Sequence, residues 1–107
     1  MTLSEYQEKA ARTINQKLTE EKMLRHALFG LTAEVGEITG LFQKQLQGHP
    51  LLLEHLEKEI GDVLWMVAEL CTALSLDMEE VAEANIEKLK KRYPEGFTTE
   101  NSIHRAE

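Results

Sequence analysis

Two short words in this chain, "EVGE" at 34–37 and "EIGD" at 59–62, each set an acid, a β-branched residue, a glycine and a second acid in a row. On a helix, residues three apart share a face. Glu34 with Glu37, and Glu59 with Asp62, therefore each present a pair of carboxylates. Carboxylates grouped in this way repel, and taking them out of water adds a desolvation cost. The stable answers are basic partners, uptake of protons, or a metal ion. Cations are poorly placed: Lys44 lies two turns beyond Glu37, and Lys58 follows its helical stripe badly. Hard divalent cations accept all-oxygen ligand sets, so Mg²⁺, with Mn²⁺ as a substitute, fits best. A di-iron site would call for Glu-x-x-His words, and no histidine here stands three residues after a glutamate.

Paired glutamates alone say little. Glu5/Glu8, Glu54/Glu57 and Glu80/Glu83 repeat the spacing and read as solvated helix faces. The words at 34–37 and 59–62 differ in placement. Apolar residues recur at helical spacing through Ala27, Leu31, Ile38 and Leu41, and again through Leu56 and Val63. Glu34 and Glu59 fill the gaps in those stripes. A break at "QGHP", 47–50, separates the two stretches, with Gly48 suited to end one helix and Pro50 to start the next. Gly36 and position 60 each lie 12 residues from Gly48. Folding back there brings both acidic pairs to the same height, roughly 18 Å from the turn. Four carboxylates then converge. Gly36 and Gly61 each cost helix propensity of about 1 kcal/mol. Glycine at these points lets backbones approach or leaves room for a ligand.

The elements that must position these groups follow from caps and periodicity. A first helix is expected over about 4–17, capped by Thr2 or Ser4 with Glu5 or Gln7. The second spans about 21–47 and the third runs from the break to about 75. The fourth opens on a capping box of Asp77 with Glu80 and closes in "KLKKRYPEG", cations at its negative end. The expected fold is all-α, of four-helix-bundle type, its two long central helices forming an antiparallel hairpin. One domain covers 1–97, and 98–107 form a polar tail.

Composition narrows the partners. A net charge of −7 disfavours nucleic-acid backbone and anionic membrane surface. The longest apolar run, "VLWMVA", is far shorter than the roughly 20 residues of a membrane span. The N-terminus carries no signal-peptide pattern, and the single cysteine, Cys71, fits a reducing cytoplasm and a buried, inert thiol. His55, four residues before Glu59, can approach the acidic site, although an exposed or capping histidine is the plainer reading; Trp65 reads as core packing.

Together, "GLTAEVGEITGLFQK", "EIGDVLWMVAEL" and "NIEKLKKRYPEGF" resemble the MazG-type all-α nucleoside triphosphate pyrophosphohydrolases, over about residues 22–97. The 21-residue spacer, 38–58, suits that family's Glu-x-x-Glu, spacer, Glu-x-x-Asp pattern. The resemblance implies that Glu34, Glu37, Glu59 and Asp62 bind Mg²⁺ and act in catalysis. It also implies that a nucleoside triphosphate is hydrolysed to the monophosphate and pyrophosphate. It further implies phosphate or substrate contacts from Asn85, Lys88, Arg92, Tyr93 and Lys44, and a homodimer or homotetramer. Two other readings stand beside it: a phosphoribosyl-ATP pyrophosphohydrolase, and a helical oligomerisation or adaptor protein with an incidental acidic groove.

Overall fold

The two acidic words lie on the two longest helices. A computed structural model describes residues 1–105. Helix α1 spans Leu3–Ala11, α2 Glu20–Leu46, α3 Leu53–Ala73, α4 Met78–Arg92 and α5 Thr99–Ile103. Among the described residues there is no β-strand, only an isolated bridge between Pro94 and Gly96. The chain is all-α. The short α5 falls within the expected tail, whose residues 106 and 107 lie outside the described ones.

Caps fix most boundaries. Thr2 and Glu5 form a reciprocal capping box at α1. Helix α2 ends in a Schellman motif: the amide of Gly48 donates to the Gln45 carbonyl and that of His49 to the Lys44 carbonyl, both at 3.0 Å. Gly48 takes φ +98° there, a value that glycine adopts without a Cβ penalty. Helix α3 starts at Leu53 rather than at Pro50, because 51–52 run on extended and Leu52 caps without a side-chain bond. At α4, Asp77 accepts from the Glu79 amide, and Glu79, not Glu80, reaches back to the Leu3 amide. The first helix stops at Ala11, six residues short of the expected end. Thr13 Oγ1 bonds the Ala10 carbonyl and Asn15 Oδ1 accepts from the Lys17 amide. These local bonds compete with helix continuation, and the turn buries Ile14.

The α3 end repeats the Schellman pattern with Ser75 in the left-handed position, φ 56°. Its amide bonds Thr72 and the Leu76 amide bonds Cys71. A side chain is strained there. Ser75→Gly is expected to stabilise the chain by about 1 kcal/mol in denaturant unfolding.

Helices α2 and α3 pack in opposite directions. His26 meets Glu69, Gly30 meets Met66, and Glu34 meets Asp62 and Glu59, so the paired positions are centred on Gly48. Gly30 is the close approach: a Cβ would stand 2.4 Å from Met66 Sδ. Gly36 and Gly61 face open space instead. Helix α1 lies against α3, and Gln7 ties it to Thr72, to the Leu76 carbonyl and to the Met78 amide. Ala10, Ala68, Cys71 and Met78 form the buried cluster, with Trp65 against it.

That core is small. The accessible surface is 8163 Å², against about 6,100 Å² for a compact monomer of this mass. The radius of gyration, 17.0 Å, exceeds the roughly 13 Å of a compact chain. Phe29, Val35, Phe42, Ile60, Val81 and Ile86 are exposed, so long apolar faces of α2, α3 and α4 are left uncovered by the described residues.

Candidate functional site

Glu34 on α2 and Glu59 and Asp62 on α3 each bring a carboxylate oxygen within 4.8 Å of the others. Glu34 and Glu59 are half-buried and Asp62 is exposed, so the cluster sits at the open edge of the helix seam. Burial raises the Glu34 pKa first, and the charges of Asp62, Glu59 and Glu37 raise it further. That is the signature of carboxylates without enough positive charge among them. Opposite oxygens around Mg²⁺ stand about 4.2 Å apart at its usual bond length. Adjacent ones stand about 3.0 Å apart, so small rotations would close oxygens lying within 4.8 Å of one another onto such a shell, and the residues present fit a hard divalent ion.

Glu37 stands outside this trio. It is exposed and lines a cavity of about 320 Å³ with Glu59, Gly36, Gly40, Lys44 and His55. His55 Nε2 lies 3.6 Å from Glu59 Oε1, so the histidine both reaches the site and stays in water. Lys44 shares the cavity with Glu37 although two turns of helix separate them. On the opposite side the seam is closed by Met66 against Gly30, then by His26 against Glu69. Trp65 donates from Nε1 to Thr13 Oγ1 at 2.9 Å and belongs to the core margin.

Asn85, Lys88 and Arg92 lie on α4, with Asn85 and Lys88 exposed. The Arg92 guanidinium is 6.0 Å from the Tyr93 ring centroid, and Tyr93 packs on Phe97 at 5.4 Å. The side chains around the cavity come from α2 and α3 alone, so one chain does not bring its α4 cations into it.

Three features were not visible from residue types. Tyr6, on α1, has its pKa raised by burial and then by the charge of Asp62. Gly30, not Gly36 or Gly61, makes the close helix contact. Glu69 is almost wholly buried and receives His26 Nδ1 at 2.8 and 2.9 Å from its two oxygens. Symmetry about Gly48 was the available signal for that pair, since the two residues stand almost equally far from the turn. Cys71 is buried and free, its pKa raised by burial and then by Asp77, and contributes packing.

Residues 19–97 match the family model of the MazG nucleotide pyrophosphohydrolase domain. The Gene 37 protein of Mycobacterium phage L5 is 32% identical over 78 residues, 68% of either chain. No solved structure matches the chain. No helix among the described residues is long and apolar enough to cross a membrane.

Proposed function

Since the chain belongs to the MazG nucleotide pyrophosphohydrolase domain family, we propose that it hydrolyses nucleoside triphosphates, ribo or deoxy, to the monophosphate and pyrophosphate with Mg²⁺. The observation that carries this reading is the convergence of Glu34, Glu59 and Asp62 on one edge of the seam. Glu34, Glu59 and Asp62 hold the metal, with Glu37 completing or flanking the set. When bound, Mg²⁺ neutralises phosphate charge and makes an attacking water more acidic. Glu37, beside the trio and open to solvent, orients that water and takes its proton. The water oxygen forms a bond to phosphorus in line as the bridge between the α and β phosphates breaks, and pyrophosphate leaves with the bridging electrons. Asn85, Lys88, Arg92 and Tyr93 serve phosphate binding from a neighbouring copy's α4, since the acidic trio and the cavity beside it are built from α2 and α3 alone.

That last role needs a homo-oligomer. The surplus of about 2,000 Å² over a compact monomer matches what a stable, largely apolar interface buries. Light scattering after gel filtration is expected to give a dimer or tetramer mass at micromolar concentration; a monomer would remove α4 from the reaction.

The activity test is a panel of NTPs and dNTPs with Mg²⁺, following monophosphate and pyrophosphate, with and without EDTA. Chelator-sensitive release of pyrophosphate supports the reading. Turnover of phosphoribosyl-ATP but of no free triphosphate would move the substrate. Absence of both turnover and divalent binding would leave an oligomerisation module.

A further inference from the structure

The acidic trio has two flanks along the seam, and they differ. Toward α1 the seam is filled, first by Met66 against Gly30 and then by the His26–Glu69 pair. Toward Gly48 it opens into the cavity of about 320 Å³, a volume within the range of small-ligand sites. Its floor is backbone: a Cβ at Gly36 or at Gly40 would meet nothing within 4 Å. Ala33 and Leu41 add apolar wall, and Lys44 and His55 stand at the rim.

This flank suits one end of a nucleotide better than the other. The cavity already holds the charges of Glu37 and Glu59, which repel any phosphate oxygen that lacks a metal. One lysine cannot offset a polyphosphate tail as well as those two carboxylates. A neutral planar base has no such penalty, and a side-chain-free floor with a histidine ring at its rim accepts a flat aromatic face. The Lys44 side chain makes no hydrogen bond or ion pair among the described residues. Its ammonium is a donor only.

Resting on the pyrophosphohydrolase reading above, we propose that this cavity seats the nucleoside end of the substrate. The base lies over Gly36 and Gly40, and Lys44 donates to a carbonyl oxygen on its edge. Nucleotides of uracil, thymine, cytosine or guanine are then favoured over those of adenine, whose base offers no carbonyl. Lys44 is a specificity residue here, and the phosphates stay at the trio.

Filling the cavity tests this without breaking the fold, since Gly40→Leu meets open space and improves helix propensity. Calorimetry with Mg²⁺ compares two probes, α,β-methylene-dTTP, whose α–β bridge resists hydrolysis, and inorganic tripolyphosphate. Gly40→Leu is expected to lose at least about tenfold in affinity for the nucleotide while tripolyphosphate binds within about twofold. Lys44→Ala is expected to bring the preference for α,β-methylene-dTTP over α,β-methylene-ATP close to unity. Equal loss of both probes in Gly40→Leu would place phosphates in the cavity and overturn the assignment. Unchanged binding of both would overturn it too. If the unmutated protein binds neither probe, the pyrophosphohydrolase reading itself falls, which the panel assay reports separately.

Discussion

Glu59→Gln is expected to lower pyrophosphate release by at least about 10²-fold and, in EDTA, to raise the stability of the folded chain by roughly 1 kcal/mol. Both effects have one source. Glu59 is half-buried and its oxygen lies within 4.8 Å of those of Glu34 and Asp62. An amide keeps the shape but removes one charge from the proposed metal site, and so part of the proposed means of neutralising the phosphates. Without metal, the same charge repels Glu34 and Asp62, offset only by the half-exposed His55, 3.6 Å away. The sign with pH follows from Glu34, whose pKa is raised by burial and then by Asp62, Glu59 and Glu37. A carboxyl with a raised folded-state pKa binds its proton more tightly when folded. Its contribution to stability is complete below the unfolded carboxylate pKa and is lost as pH rises through the raised folded value. In EDTA the advantage of Glu59→Gln over the unmutated chain should therefore be largest at neutral pH and shrink on acidification through the carboxylate range. Adding Mg²⁺ at neutral pH should reverse the order, stabilising the unmutated chain alone. Equal activity in the variant would remove Glu59 from the reaction, and equal stability in EDTA would show that the carboxylates are too well solvated to interact.

Glu59 fills a gap in an apolar stripe, and helix periodicity makes such gaps legible. Gly48 did the rest, because a turn there dictates which residues of α2 and α3 face each other. The end of α1 was not legible in the same way. The helical pattern continues past Ala11, but Thr13 and Asn15 spend their side chains on nearby backbone groups, a competition that periodicity does not register. Gly30 is not legible in the sequence because its role depends on where the Met66 side chain lies, a tertiary fact. The distance of α4 from the acidic cavity was equally hidden. Its Asn85, Lys88 and Arg92 share a face, yet none of them lines the cavity beside Glu37 and Glu59, which spacing along one helix does not reveal.

Glu69 tests how far the same hinge logic extends. Written out, "VAEL" gives no hint that its glutamate is the most deeply buried large side chain among the described residues. Both oxygens are within 2.9 Å of His26 Nδ1, and the histidine's other edge reaches water, its side chain being 51% exposed. A buried carboxylate deprived of its partner costs about 3–5 kcal/mol, and the water near His26 favours the lower part of that range. His26→Ala is therefore expected to destabilise the protein by about 3 kcal/mol. Glu69→Gln should cost less, since an amide oxygen can still accept from Nδ1 and no charge is left buried. Replacing both, as His26→Leu with Glu69→Met, should recover most of the loss, because two apolar side chains of similar volume need no partner. The measurement is denaturant unfolding of the three variants at neutral pH in EDTA, so that metal binding does not enter. If His26→Ala unfolds at the same midpoint as the unmutated chain, Glu69 finds water or another donor, and the pair does not hold α2 to α3. If the double replacement is as unstable as His26→Ala, packing at this level rather than the lost hydrogen bond sets the cost. The pair lies about 12 Å along the seam from Glu34, so an intact His26–Glu69 contact keeps the two helices at the spacing on which the acidic trio depends. His26→Ala should for that reason also weaken Mg²⁺ binding, although it touches none of the ligands, and the double replacement should restore it.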